Sequence, residues 1–159
     1  MTVRKIDSLD DIISRKWTLA QAFAYFGAVA TNRVWSWSAR SPDERTIVLT
    51  LWEDRVDRTS GRLIYDTMRH PKLHIWRDKL GNRDRIKNLQ LAYGHPDVQV
   101  RAVIIKAKDL EARTRSIVSR YPHPRLFLTI TQFNPETGEF RAEETNKKEG
   151  ADTYRPNSI

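Results

Sequence analysis

Arg33-Val34-Trp35-Ser36-Trp37-Ser38, answered a few residues on by Ile47-Val48-Leu49-Thr50-Leu51-Trp52-Glu53-Asp54-Arg55, is the stretch on which the fold turns. Large and small residues alternate in the first limb. Val, Ile, Thr and Trp crowd the second, and these types suit a pleated, half-buried surface. Between the limbs, Ser41, Pro42, Asp43 and Glu44 supply turn chemistry. Proline pre-sets φ, and the serine and aspartate side chains bond back to the backbone. The stretch predicts a β-hairpin. Which face of it is buried stays open. If Trp35 and Trp37 face the core, Ser36 and Ser38 face outward and the strand only packs two indoles. If one indole instead stands with Trp52 beside a cavity, the same residues wall a pocket for a flat ring, with Asp54 as the polar group that orients it.

N-terminal to the hairpin the pattern is helical. Ser8 with Asp11, then Thr18 with Gln21, read as two successive capping boxes, so a helix is expected that breaks or bends near residues 16–18. Leu19, Ala22, Phe23 and Phe26 form an apolar stripe that ends at Gly27, and the stripe reads as a lid packed on the sheet. C-terminal to the hairpin, residues 63–65 suit a short strand. Residues 68–82 have no period and form a long loop with room for one helical turn. Asn82 is placed to cap a helix over residues 83–93, with Ile86, Leu89 and Tyr93 inward and Arg83, Arg85 and Lys87 outward. Residues 98–106 make the strongest strand, apolar on both parities and so buried on both faces. Asp109 is placed to cap a single turn through Arg113, and residues 116–119 read as a strand broken by Tyr121, Pro122, His123 and Pro124. Residues 126–133 return through 134–138 into 139–143 as a second hairpin.

These elements predict one α+β domain over residues 1–144, with helices over 8–26 and a curled antiparallel sheet or small β-barrel over 27–144. Residues 145–159 are polar and without period, a flexible tail. With 159 residues the chain is long enough to bury a core without staples, and it contains no cysteine. Disulfides, thiolate zinc sites and cysteine nucleophiles are therefore excluded. Asp7, Asp10 and Asp11 stand where a signal peptide would be apolar, and no run approaches the length of a membrane span, so a cytoplasmic protein without a membrane partner is expected.

The charge points to a partner. Lys and Arg number 28 against 20 Asp and Glu, a formal charge of +8, and residues 55–87 alone hold ten cations against four aspartates. A soluble basic domain most often meets nucleic acid. Arg33, Arg55, Arg58, Arg83, Arg85, Lys87, Lys108, Arg113 and Arg115 are candidates to hold phosphates. Trp35, Ser36, Trp37, Ser38, Trp52, Asp54 and Asp109 are candidates for a base pocket, the two aspartates accepting from an exocyclic amine of adenine or cytosine. Catalytic patterns fit poorly. After Pro96 and Asp97, the residue two before Lys106 is Ile104, not the acid a metal nuclease wants. His70 and His74 have zinc spacing, but Pro71 lies between them and no third ligand is near. No glycine-flanked serine and no phosphate-cradling loop is present, and no metal or cofactor is expected.

The order of parts, an aromatic-walled hairpin, a curled sheet, flanking helices and a basic rim over residues 27–144, resembles the small β-barrel reader domains of the PUA, EVE and SRA kind. The resemblance implies a module that flips a modified base into the barrel mouth for modification-dependent restriction, with any nuclease encoded separately. The expected function is thus DNA binding without chemistry on the substrate. Two alternatives stay open: a nuclease or base-modifying enzyme using Asp54, Asp97 and Glu143, and a protein-interaction subunit docking through its aromatic surface.

Overall fold

The computed structural model describes residues 8–145. The tail expected after residue 145 lies outside them. Both capping boxes form: Asp11 N donates to Ser8 Oγ at 3.1 Å and Gln21 N to Thr18 Oγ1 at 3.1 Å. They start two short helices, α1 (Leu9–Ser14) and α2 (Leu19–Ala24), with the break between them.

Seven strands follow in one mixed sheet: β1 (Ser38–Arg40), β2 (Thr46–Trp52), β3 (Ile64–Asp66), β4 (Gln99–Ala107), β5 (Ile117–Pro122), β6 (Leu128–Phe133) and β7 (Phe140–Glu144). Helices α3 (Leu73–Trp76) and α4 (Leu80–Ala92) lie between β3 and β4. The strand order is β1-β2-β4-β6-β7-β3, with β5 also paired to β4. Two expectations need correction. The sheet is open, not closed into a barrel, and it is not wholly antiparallel, because β2 and β4 run parallel from Thr46↔Gln99 to Trp52↔Ile105. The reason is the connection. The chain between these strands carries β3, α3 and α4, long enough to bring β4 back beside β2 in the same direction. The sheet nonetheless curls. Trp52 N donates to Tyr65 Oη at 3.3 Å, so the edge strand β3 leans back over the end of β2.

Period-two alternation then sorts the side chains. Ile47, Leu49 and Leu51 of β2 and their partners Val100, Ala102 and Ile104 of β4 bury into one core with Leu89 and Ala92 of α4. Val48, Val103 and Ile105 bury against Ala22 and Phe23 of α2 on the other face. Two helices thus cover the two faces of the parallel pair. Each such Leu or Ile is worth ~1.5–3 kcal/mol of burial. The apolar stripe of α2 packs on the sheet as its spacing predicts. Strand β5 runs on through Tyr121 and Pro122, where the sequence suggests a break, because Pro122 sits at its end opposite Val103.

Candidate functional site

The loops at the C-terminal ends of the parallel pair border a cavity of about 690 Å³ that is broadly open to solvent. It draws on residues from both faces of the sheet: Trp52 and Ile105 at the strand ends, the turn before β1, the segment from Thr67 to Arg85, and the approach to β5. Parallel strands leave such a crevice because their connecting loops leave from the same edge. Four of the five tryptophans, Trp35, Trp37, Trp52 and Trp76, line it. Among the described residues so do seven lysines and arginines, and no aspartate or glutamate.

The tryptophan–serine alternation is not a strand. Asn32 makes the turn, its Oδ1 accepting from Val34 N at 2.8 Å, while Ser36 Oγ accepts from Asn32 N at 2.9 Å. Strand pairing begins only at Ser38. The phase is opposite to core packing of the indoles. Ser36 and Ser38 are buried, and Trp35 and Trp37 stand half-exposed along the cavity. Asn88 Nδ2 donates to Ser38 Oγ at 2.7 Å, so Ser38 ties β1 to α4 and does not border the cavity. Trp37 lies on the first turn of α4 so closely that a Cβ at Gly81 would collide with its ring.

The two aspartates assigned to base reading do not line the cavity. Asp54 sits in the 3-10 turn after β2 and takes Arg115 bidentately, Nη1 at 2.8 Å and Nη2 at 2.9 Å. That bond holds the Asp54 carboxyl below its ordinary range and raises Arg115 in turn. With its acceptors spent, Asp54 positions Arg115 over the Trp52 ring, 5.0 Å from its centre. Asp109 is exposed and accepts from Glu111 N at 2.9 Å, bracing a turn with no helix.

Of the arginines and lysines proposed for phosphates, Arg55, Arg85, Arg113 and Arg115 border the cavity. Arg33 is exposed on the Asn32 turn, and Arg58, Arg83, Lys87 and Lys108 are exposed outside the lining. Arg85 overturns its expected outward orientation. Helix α4 starts at Leu80, so Asn82 is not its cap but a wholly buried residue of the first turn, bonding Arg77 O and Thr137 O at 2.8 Å each. The buried face of α4 is then Gly81, Asn82, Asp84, Arg85, Asn88, Leu89 and Ala92, mostly polar. Ile86 is half-buried and Tyr93 exposed, against the inward positions expected of them. The Arg85 guanidinium lies 5.1, 5.6 and 5.0 Å from the ring centres of Trp37, Trp76 and Phe140.

The loop expected over residues 68–82 adds Trp76 and His70, which were not among the base-pocket candidates, and Lys72 and Lys79 from the basic run of residues 55–87; β5 adds Arg120. Length without periodicity was the available signal. His70 Nδ1 accepts from Lys72 N at 3.0 Å, which leaves Nε2 to carry the proton of the neutral ring. Burial and then the neighbouring cations keep its pKa below the ordinary histidine value. His74 is exposed. Among the described residues no three His, Cys, Asp or Glu side chains gather as a metal site would require, and no helix is long and apolar enough to cross a membrane. No protein-family model, curated protein or solved structure matches the chain.

Proposed function

We propose that this chain is a nucleic-acid-binding protein, acting on DNA, that takes an extruded base into the tryptophan-walled cavity. The single observation that carries the reading is the composition of that cavity: among the described residues, four indoles and seven cations with no carboxylate. Indoles stack any base, at ~1–3 kcal/mol each. Cations without acids among them suit phosphate. A cavity of about 690 Å³ accommodates a nucleotide unit. In this reading Trp37 and Trp52 stack the ring, Trp35 and Trp76 close its sides, and Arg55 and Arg113 hold flanking phosphates.

The likeness to PUA, EVE and SRA readers, and with it a role in modification-dependent restriction with a separately encoded nuclease, belongs to the proposal. A curled sheet with an aromatic cavity at its end supports it. The open edge and the parallel central pair depart from it.

The test is titration of the tryptophan fluorescence with single-stranded and duplex oligonucleotides at two salt concentrations, with unmodified, 5-methylated and 5-hydroxymethylated cytosine and N6-methylated adenine. Quenching that survives the higher salt and disappears in Trp37→Ala or Trp52→Ala is the expected result. Binding that vanishes entirely with salt and leaves the indole emission unmoved would sink the reading.

A further inference from the structure

We infer that the cavity selects a ring presenting two adjacent hydrogen-bond acceptors, the edge that guanine offers through N7 and O6, and that Arg85 is the specificity-determining residue. The inference rests on the nucleic-acid reading above and replaces the carboxylates as the reading groups.

Arg85 is 7% exposed, yet it borders the cavity. A buried guanidinium ordinarily has a carboxylate or a full set of carbonyls around it, because an uncompensated buried charge is expensive. Among the described residues one hydrogen bond is formed, Nη2 to Asn82 Oδ1 at 3.1 Å; Nε is sealed in the interior without a partner, and the N–H groups left toward the cavity are those of Nη1 and the second of Nη2. Among the described residues Arg85 makes no ion pair. Burial lowers its pKa to about 10, which still leaves it charged at neutral pH. The aromatic cage and Asn82 hold the guanidinium in place without neutralising it. An arginine fixed in this way has N–H groups to spare for a ligand, and its planar fork matches paired acceptors better than a single one.

The other polar groups of the cavity sharpen the selection. Thr50 Oγ1 donates to Trp37 O at 2.8 Å, and Thr67 Oγ1 both donates to Phe140 O and accepts from Phe140 N. Ser36 Oγ is engaged with Asn32 N, and His70 Nδ1 with Lys72 N. These acceptors are engaged within the protein, and the groups left for a ligand are mainly donors, Arg85, His70 Nε2 and the rim cations, with the Thr114 and Ser116 hydroxyls able to act either way. An adenine edge sets its amino donor beside each acceptor it offers there, N7 or N1, and would leave that donor unpaired against them; an extruded cytosine offers N3 beside O2 and so shares the paired-acceptor chemistry. Guanine meets them acceptor to donor. A ring carrying a carboxylate, such as 5-carboxylcytosine, shares that chemistry.

The experiment uses the full chain and duplexes with one unpaired central base: guanine, adenine, cytosine, thymine or 5-carboxylcytosine, read by indole quenching. The guanine, cytosine or 5-carboxylcytosine duplex should bind about tenfold more tightly than the adenine duplex, and whichever of these is tightest identifies the source of the paired acceptors. In Arg85→Gln and Arg85→Lys that ratio should fall to near one, since lysine keeps the charge but not the fork. If Arg85→Gln fails to fold, Arg85→Lys carries the test. Equal quenching by guanine, cytosine, 5-carboxylcytosine and adenine in the wild type would overturn this inference and leave base binding standing. So would a preference that persists in the variants. Inorganic phosphate that erases the preference at constant ionic strength would place a free anion on Arg85 and also overturn it. Absence of binding to every duplex would remove both readings together.

Discussion

Two regions of this molecule bury an arginine among aromatic rings, and they treat it oppositely. On β4, Arg101 lies between Phe26 and Phe127, 4.6 and 4.0 Å from their ring centres, and its Nε and Nη2 donate to Leu126 O and Pro124 O at 3.0 and 2.8 Å. There the guanidinium closes a loop onto a strand. On α4, Arg85 has a similar aromatic cage but a single hydrogen bond. The difference teaches that burial and aromatic packing do not by themselves mark an arginine as structural. What separates the two is whether the donors are used.

The distinction makes its largest demand at Arg101. Arg101→Met strips two carbonyls of a charged donor, and urea unfolding should show a loss of about 2–4 kcal/mol; a loss under about 1 kcal/mol would erase the contrast. Gly81→Ala comes next. Its methyl collides with Trp37, so a loss of roughly 1–3 kcal/mol is expected, together with a shifted indole emission. Arg85→Met should change stability by no more than about 1 kcal/mol in either direction, since it replaces an unpaired buried charge with an apolar chain. A fall as large as that at Arg101 would make Arg85 a structural residue.

Arg115 stands between these cases, over Trp52 but paired to Asp54 near the surface. Because Asp54 titrates below its ordinary value in the folded state, its contribution is present above the unfolded carboxylate pKa and is lost as pH falls through the folded one. Asp54→Asn should therefore cost roughly 0.5 kcal/mol near neutrality, after allowance for solvent screening, and nothing once the wild-type carboxyl is protonated. Parallel denaturation series at acid and neutral pH would show it.

Much of the frame was legible in the residues. The capping boxes at Ser8 and Thr18, the second hairpin and the doubly buried strand around Val100 to Ile105 follow from local chemistry that tertiary contacts did not override. The site was legible in part. Alternation at Trp35–Ser38 gives a period but not a phase, and the Asn32 turn, not the alternation, decides which side chains face the cavity. Helix α4 misleads because its buried face is polar, so a hydrophobic stripe points the wrong way and sends Arg85 outward. Asp54 could not be seen to be spent, since its partner Arg115 is far along the chain. Parallel pairing of β2 with β4 is non-local in the same sense: the doubly buried runs of both strands suit it, but neither names its partner.

That pairing also has a consequence in time. Joining Thr46 to Gln99 closes a long loop before any contact within it is repaid, which slows folding relative to local hairpins. Trp52 faces Ile105 across this parallel seam, and Trp37 rests on the helix that the loop must carry into place. Indole emission in a stopped-flow refolding trace should consequently lag behind the far-ultraviolet signal of the hairpins, and the tryptophan-lined cavity should be the last part of the protein to come into existence.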